Sequence, residues 1–303
     1  MFMIRPSFLR PGDKIGLVSP AKSIRAKQVK PAVKVLQRWG LEPVFGRHLF
    51  TAYHQFAGTD KHRIDDFQEF LDDSSIKAIL ATRGGYGSSR IIDHLDFSNF
   101  CKHPKWIIGY SDITVFHSHI HEQFKIETLH ATMPLNFPED YSENKSIKTL
   151  KNALFGALKE YKLNVCRFLR QGEAIAPLVG GNLSILTNLH GTPSELNTHG
   201  KILLLEDVGE NLFRIDRMMQ QLKRAGKLKN LKALIIAGFT KIADNDIPFG
   251  QSAEEIIFEA VKEYQYPVLS GFPSGHQQEN LAVFLGREIQ IKAINEQTIV
   301  NFL

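Results

Sequence analysis

Short apolar runs alternate with amphipathic stretches along the first half of the chain. Residues 14–19 read as a strand, 24–39 carry apolar positions at helical spacing until Gly40 stops them, and 42–45 return as a second strand. The spacing then predicts a helix over 61–71 with Phe67, Phe70 and Leu71 on one face, a strand over 76–82, a helix over 88–95 and a strand over 106–110. Alternation of this kind argues for a parallel sheet covered on both faces, since each parallel pair needs a crossover. The loop 51–59, with Tyr53, Phe56 and Gly58, is placed to line a site. Between Pro138 and Pro177 the pattern loosens around a polar run at 139–145 and an amphipathic helix over 147–158. We read that stretch as the crossing between two domains and divide the chain into 1–145, a linker 146–176, and 177–303. The second half opens on Leu178-Val179-Gly180-Gly181-Asn182 and holds strands over 201–205, 233–238 and 266–272, with helices over 212–222 and 253–264. From Ala282 onward, alternating apolar positions around Asn295-Glu296-Gln297 predict an antiparallel hairpin.

Three strand ends carry complementary chemistry. Ser111 follows Trp106-Ile107-Ile108-Gly109-Tyr110 and precedes Asp112 and a helical pattern. A serine on a sharp strand-to-helix turn projects its hydroxyl off the sheet, and the following helix start offers N–H groups where negative charge develops in acyl transfer. The stretch lacks the last glycine of G-x-S-x-G, and a serine here would also serve as a plain helix N-cap. Downstream, the strand over 201–205 delivers Glu206 and Asp207, and the strand over 266–272 runs into Pro273-Ser274-Gly275-His276. A nucleophilic serine needs an imidazole to take its proton, and the imidazole needs a carboxylate to fix its tautomer. Glu206, Asp207 and Glu210 compete for that place. Successive strand residues face opposite sides, so Glu206 and Asp207 cannot both approach His276.

Six blocks in order resemble the L,D-carboxypeptidases, a serine peptidase family that includes the microcin-immunity hydrolases. They are Arg10-Pro11-Gly12-Asp13 leading into Ile15-Gly16-Leu17-Val18-Ser19-Pro20-Ala21; Thr82-Arg83-Gly84-Gly85-Tyr86-Gly87; Ile108-Gly109-Tyr110-Ser111-Asp112; Leu205-Glu206-Asp207-Val208-Gly209-Glu210; Arg214-Ile215-Asp216-Arg217-Met218; and Gly271-Phe272-Pro273-Ser274-Gly275-His276 followed by Asn280. The resemblance implies an α/β protein with an N-terminal parallel-sheet domain of class I glutamine amidotransferase type and a C-terminal α/β swivelling-type domain. It implies Ser111 as nucleophile, His276 as general base and acid, Glu206 as the residue that orients His276, and the backbone N–H groups of Gly85 and Asp112 as oxyanion hole. No cofactor or metal is implied. The expected reaction releases terminal D-alanine from murein tetrapeptides in cell-wall recycling, by a homodimer acting on a muropeptide substrate. The alternative is immunity-type hydrolysis of a peptidyl or aminoacyl nucleotide analogue. His130-Ala131-Thr132-Met133-Pro134 departs from the glycine-containing turn expected there, which bears on the substrate pocket.

Composition narrows the remaining classes. A chain of 303 residues, 43% apolar, exceeds a comfortable single core and leans toward two domains. Its two cysteines, Cys101 and Cys166, form no framework and no C-x-x-C pair, which fits a reducing compartment. The first nine residues hold no signal-peptide core, and there is no run of ~18 apolar residues, so we expect a soluble cytoplasmic protein without a membrane partner. The net charge of +5 invites a nucleic-acid reading. The densest basic stretch, 223–229, however, reads as a helix end carrying favourable cations, and no nucleic-acid partner is expected. His117 and His121 have the i, i+4 spacing of a metal pair but lack the glutamate of H-E-x-x-H, so we read them as structural. The loop Arg83-Gly84-Gly85-Tyr86-Gly87 has the ingredients of a phosphate cradle yet matches neither common phosphate motif, leaving a nucleotide-binding enzyme as the weaker alternative. Arg214, Asp216 and Arg217 on the helix 212–222 fit a solvated salt-bridge face as well as a carboxylate-holding one.

Overall fold

The computed structural model describes residues 3–294 and 297–303. Its first half runs β1 (Lys14–Val18), α1 (Ala26–Arg38), β2 (Glu42–Phe45), α2 (Asp60–Asp72), β3 (Ile76–Ala81), α3 (Ser98–Lys102), β4 (Trp106–Gly109), α4 (Thr114–Phe124) and β5 (Thr128–His130). It continues through α5 (Lys145–Leu154), β6 (Glu160–Leu163), β7 (Arg167–Arg170), β8 (Ala174–Asn182), α6 (Leu183–Asn188), β9 (Ile202–Val208), α7 (Leu212–Arg224), β10 (Ala233–Thr240), α8 (Ala253–Ala260), β11 (Val268–Ser270), β12 (Val283–Leu285), β13 (Glu288–Ile294) and β14 (Gln297–Phe302). Two sheets result, in the orders β12-β5-β4-β3-β1-β2 and β6-β14-β13-β8-β9-β10-β11-β7. The expected α/β architecture is therefore present. The strands β2, β1, β3, β4 and β5 are parallel, as are β8, β9, β10 and β11, while β12 and the flanks of the second sheet pair antiparallel.

The central strands form because their runs are apolar on both faces, as burial beneath helices requires. Ile202, Leu203, Leu204 and Leu205 of β9 are at most 1% exposed, and full burial of one such side chain is worth about 1.5–3 kcal/mol. Helix starts are set by side chains that take orphan N–H groups: Thr59 Oγ1 accepts from His62 N, Asn144 Oδ1 from Ile147 N, and Ser252 forms a capping box with Glu255. The C-terminal end of α2 is closed by Lys105, whose buried ammonium donates to the carbonyls of Phe70 at 2.7 Å, Leu71 at 3.1 Å and Asp73 at 2.7 Å. Burial lowers the Lys105 pKa to about 8.

Several local expectations give way to tertiary context. The helix predicted over 88–95 is instead two 3-10 turns, Ser88–Arg90 and Ile92–His94. The buried Asp112 carboxylate takes the Ser88 N–H, and the backbone breaks between the turns at Ile91. The last hairpin forms from β13 and β14, but β12 ahead of it crosses to the first sheet and pairs with β5. Residues 295–296 of the predicted turn lie outside the described residues. The strands β6 and β7 of the stretch 146–176 pair at the two edges of the second sheet. A buried ion pair joins the segment between β12 and β13 to the start of β5: Arg287 donates from Nε at 2.9 Å and Nη2 at 2.5 Å to Glu127, with its guanidinium 3.4 Å from the Phe284 ring centroid.

Candidate active site

The carboxyl ends of β1, β3 and β4 lie side by side in one parallel register, the place where open α/β sheets bind ligands. Beyond β4, Ser111 has φ +65, a left-handed backbone that is uncommon for a side chain other than glycine, asparagine or aspartate. Such a residue costs about 1–3 kcal/mol and persists only where its surroundings impose it. Here the following turn Ser111–Ile113 leads straight into α4. The preceding strand end is fixed by the Gly109 carbonyl, which accepts from Ala131 N at 3.2 Å and from His117 Nε2 at 3.0 Å. Burial pushes His117 down to about 4, so it is the neutral ring that donates.

The glycine loop beyond β3 lies directly on this turn. A Cβ at Gly84 would stand 2.9 Å from Ser111 Cβ, 3.1 Å from its Oγ and 3.3 Å from Asp112 N. Only a residue without a side chain permits that approach. The loop is clamped from both sides. Asp112 Oδ2 accepts from Ser88 N at 2.9 Å, with burial raising the carboxyl pKa, and Arg63 Nη1 donates to the carbonyls of Pro20 at 2.7 Å and Gly87 at 3.0 Å. Sequence reasoning missed Arg63. Its signal was present, because Arg63, Asp66, Phe67 and Phe70 share the buried face of α2 at helical spacing.

Glu206 and His276 come together. Glu206 is wholly buried near the end of β9, and its Oε2 accepts from His276 Nδ1 at 2.6 Å and from the His276 main-chain N–H at 3.2 Å. With a carboxylate as partner Nδ1 is the donating nitrogen, and among the described residues Nε2 has no hydrogen-bond partner. The neighbouring Gly275 is again obligatory: a Cβ there would lie 2.5 Å from Glu206 Oε2. Its loop is held by Asn280, whose Oδ1 accepts from Gly275 N at 2.9 Å, and by Thr240, which donates to the His276 carbonyl.

Asp207, on the other face of β9, goes elsewhere, as strand alternation requires. It accepts from Asn182 Nδ2 and Ser184 N, each at 2.9 Å, and burial, aided by the charge of Glu206, pushes it up to about 6. Half-buried Glu210 stands 3.8 Å from exposed Arg214, and Arg217 lies over the Phe213 ring.

Two contacts bring the serine turn and the histidine loop to one place. The ring of Tyr110, immediately before Ser111, meets the His276 ring edge-on with centroids 4.8 Å apart. Asn182, which pairs with Glu206 across the sheet, donates its N–H at 3.1 Å to Thr114 Oγ1 on the helix that follows Ser111. Among the described residues, His276 has no hydrogen bond to Ser111, a looseness common in sites without substrate. Tyr110 Oη donates to Asn136 at 3.2 Å; burial and the Glu206 charge push its pKa up to about 12. A cavity of about 210 Å³ opens beside these groups, lined by Tyr110, Thr132, Asn136, Ser146, Gln277 and Asn280, among others. Amides and hydroxyls of this kind suit a peptide backbone.

Three further buried histidines have local partners. His119 bonds Ser194 Oγ at 2.9 Å, His121 bonds Thr128 Oγ1 at 3.0 Å, and His130 bonds Ser274 Oγ at 3.2 Å. Among the described residues, no group of three or more His, Cys, Asp or Glu is arranged to hold a metal ion.

Comparison with known proteins agrees with this architecture. The family described as LD-carboxypeptidase N-terminal domain matches residues 15–131, and that described as LD-carboxypeptidase C-terminal domain matches 176–291. A probable murein peptide carboxypeptidase of Bacillus subtilis is 33% identical over 98% of this chain and 94% of its own length. The murein tetrapeptide carboxypeptidase of Pseudomonas aeruginosa is 29% identical over 89% and 90%. The solved structure of MccF in complex with glutamyl sulfamoyl guanosine superposes with a TM-score of 0.88 at 22% identity, covering 100% of this chain and 99% of that one. At that identity the likeness speaks for the fold.

Proposed function

Because this chain belongs to the LD-carboxypeptidase family, we propose that it is a serine hydrolase that removes the terminal D-alanine from murein tetrapeptides at the L,D-peptide bond. The observation that carries this reading is the 2.6 Å bond between His276 Nδ1 and buried Glu206, beside a serine turn held in a left-handed conformation. In the proposed reaction His276 Nε2 takes the Ser111 hydroxyl proton as Oγ attacks the carbonyl carbon. The oxyanion is received by the N–H groups of Gly85 and Asp112, and Glu206 stabilises the imidazolium. The imidazolium then returns its proton to the leaving amine, which departs as D-alanine. Water, deprotonated by the same ring, attacks the acyl-serine and restores the hydroxyl.

In this assignment the nucleophile comes from domain 1–145, Glu206 and His276 come from domain 177–303, and 146–176 connects them. The two free thiols, exposed Cys101 and buried Cys166, suit the cytoplasmic setting we assign. Among the described residues no helix is long and apolar enough to cross a membrane. The homodimer is carried by the family resemblance.

The test is incubation with a disaccharide tetrapeptide and, separately, with a peptidyl-adenylate analogue, followed by mass spectrometry of both. Loss of one alanine from the tetrapeptide supports the reading. Cleavage of the analogue alone would assign the chain to the immunity-type activity.

A further inference from the structure

We propose that Lys22 is the cation that reads the free carboxylate of the substrate, and that it sets the preference for a chain end over an internal bond. The inference rests on the carboxypeptidase reading and assigns a part of the site that reading leaves empty. An exopeptidase must distinguish a terminal carboxylate from a continuing peptide, and neither the Ser111 turn nor the Glu206–His276 pair offers a positive charge for the purpose.

Lys22 lies in the loop that follows β1, next to the glycine loop in the parallel register. A Cβ on Gly85 would meet Lys22 Cδ at 2.6 Å, Cγ at 2.7 Å and Cε at 3.1 Å, so the lysine stem lies across the face of Gly85. Gly84, one residue earlier, touches Ser111 Oγ by the same measure. Nucleophile and lysine stem thus flank two consecutive residues. A scissile carbonyl and the carboxylate beyond it are also about one residue apart, roughly 3.8 Å between Cα atoms.

The lysine is held for this role by its main chain. Ser23 N donates to Gln55 O at 3.0 Å, Ala57 N to Ala21 O at 3.0 Å, and Arg83 Nη1 to Ser23 O at 3.1 Å, while Lys22 bridges Phe56 in antiparallel fashion. The side chain is half-buried, and among the described residues it has no ion pair and no hydrogen-bond acceptor. Among the described residues, Lys105 is held by carbonyls, Lys201 by Glu122 and Lys227 by Glu195, while half-buried Lys151 stands over the Trp39 ring. A cavity of about 770 Å³ that begins at Ser23, the residue after Lys22, is lined by Arg25, Lys27 and Arg83 among others and by no carboxylate. A half-buried lysine without an acid, its stem laid over the residue next to the one that touches Ser111, on a pinned backbone, suits an anion supplied from outside.

The test compares a tetrapeptide ending in free D-alanine with the same peptide ending in D-alaninamide. The wild-type enzyme should favour the acid by about tenfold or more in kcat/KM. Lys22→Gln should bring the two peptides within about threefold of each other, mainly by raising KM for the acid, and Lys22→Arg should recover much of the preference. Lys34→Gln, which removes the same charge from the exposed face of α1, should leave the ratio unchanged. The inference is overturned if Lys22→Gln, melting like the wild type, keeps the wild-type ratio, or if Lys34→Gln lowers the ratio equally. If the wild-type enzyme cleaves neither peptide, the carboxypeptidase reading itself has failed, and the inference falls with it.

Discussion

Glu206 shows how much a single buried group decides. It is fully enclosed, and its Oε2 receives both the ring and the main-chain N–H of His276. Glu206→Gln keeps the shape and an acceptor for Nδ1–H but removes the charge that would stabilise an imidazolium. We expect kcat to fall by about 10²- to 10⁴-fold with the fold retained; a loss under tenfold in steady-state assays would remove Glu206 from the mechanism. His117 gives a pH dependence of known sign. Its folded pKa lies near 4 because burial disfavours the cation, against 6.5 for an ordinary histidine. Below pH 6.5 the unfolded chain therefore binds a proton that the folded chain refuses, and the stability this ring contributes at neutral pH is lost as pH falls from 6.5 toward 4. His117→Gln removes that dependence. Relative to wild type, the variant should gain about 3 kcal/mol between pH 7 and pH 4, read from denaturant midpoints at the two pH values. A constant difference would mean that the ring titrates normally.

At the scale of elements, the site depends on loops that approach one another without side chains between them. Gly84→Ala places a methyl 2.9 Å from Ser111 Cβ, and displacing the nucleophile by a fraction of an ångström should cost about 10- to 100-fold in kcat, with a smaller change in KM. Kinetics on folded variant, checked by circular dichroism, measure it; unchanged kcat would show that the turn yields freely. The Glu127–Arg287 pair joins the first sheet to the segment after β12. Glu127→Ala leaves a buried guanidinium unpaired and should cost about 3–5 kcal/mol in chemical unfolding. These elements also show what could be read in advance. The strands β1, β3, β4, β9 and β10 announce themselves as largely apolar runs because most of both faces is covered. Ser111, Glu206 and His276 could be singled out as candidates because an apolar run leads towards each of them. The pairing of β5 with β12 was not legible, since two three-residue strands about 150 positions apart carry no periodicity that marks them as partners. The replacement of a helix over 88–95 by two 3-10 turns was not legible either, since nothing in the local sequence marks the break at Ile91.

The whole molecule assembles its candidate site from both sheets, so catalysis and mutual packing of the halves are linked through contacts such as Thr114 with Asn182 and Tyr110 with His276. For the assembly as a whole, light scattering at micromolar concentration should give about twice the 34.3 kDa of one chain, and a mass equal to one chain would reject the homodimer. A pocket shaped for a D-methyl group misplaces the carbonyl of an L-residue, so the L-alanine epimer should be a poor substrate, and the D-Ala–D-Ala bond of a pentapeptide should not be cut. The central claim is that Ser111 is the nucleophile of an L,D-carboxypeptidase, and the measurement that tests it most directly is D-alanine release from a murein tetrapeptide by the wild-type protein and by Ser111→Ala. The wild-type protein should release D-alanine stoichiometrically, and the variant, with an unchanged melting profile, should be slower by about 10³-fold or more. Release at comparable rates by the two proteins would contradict the account.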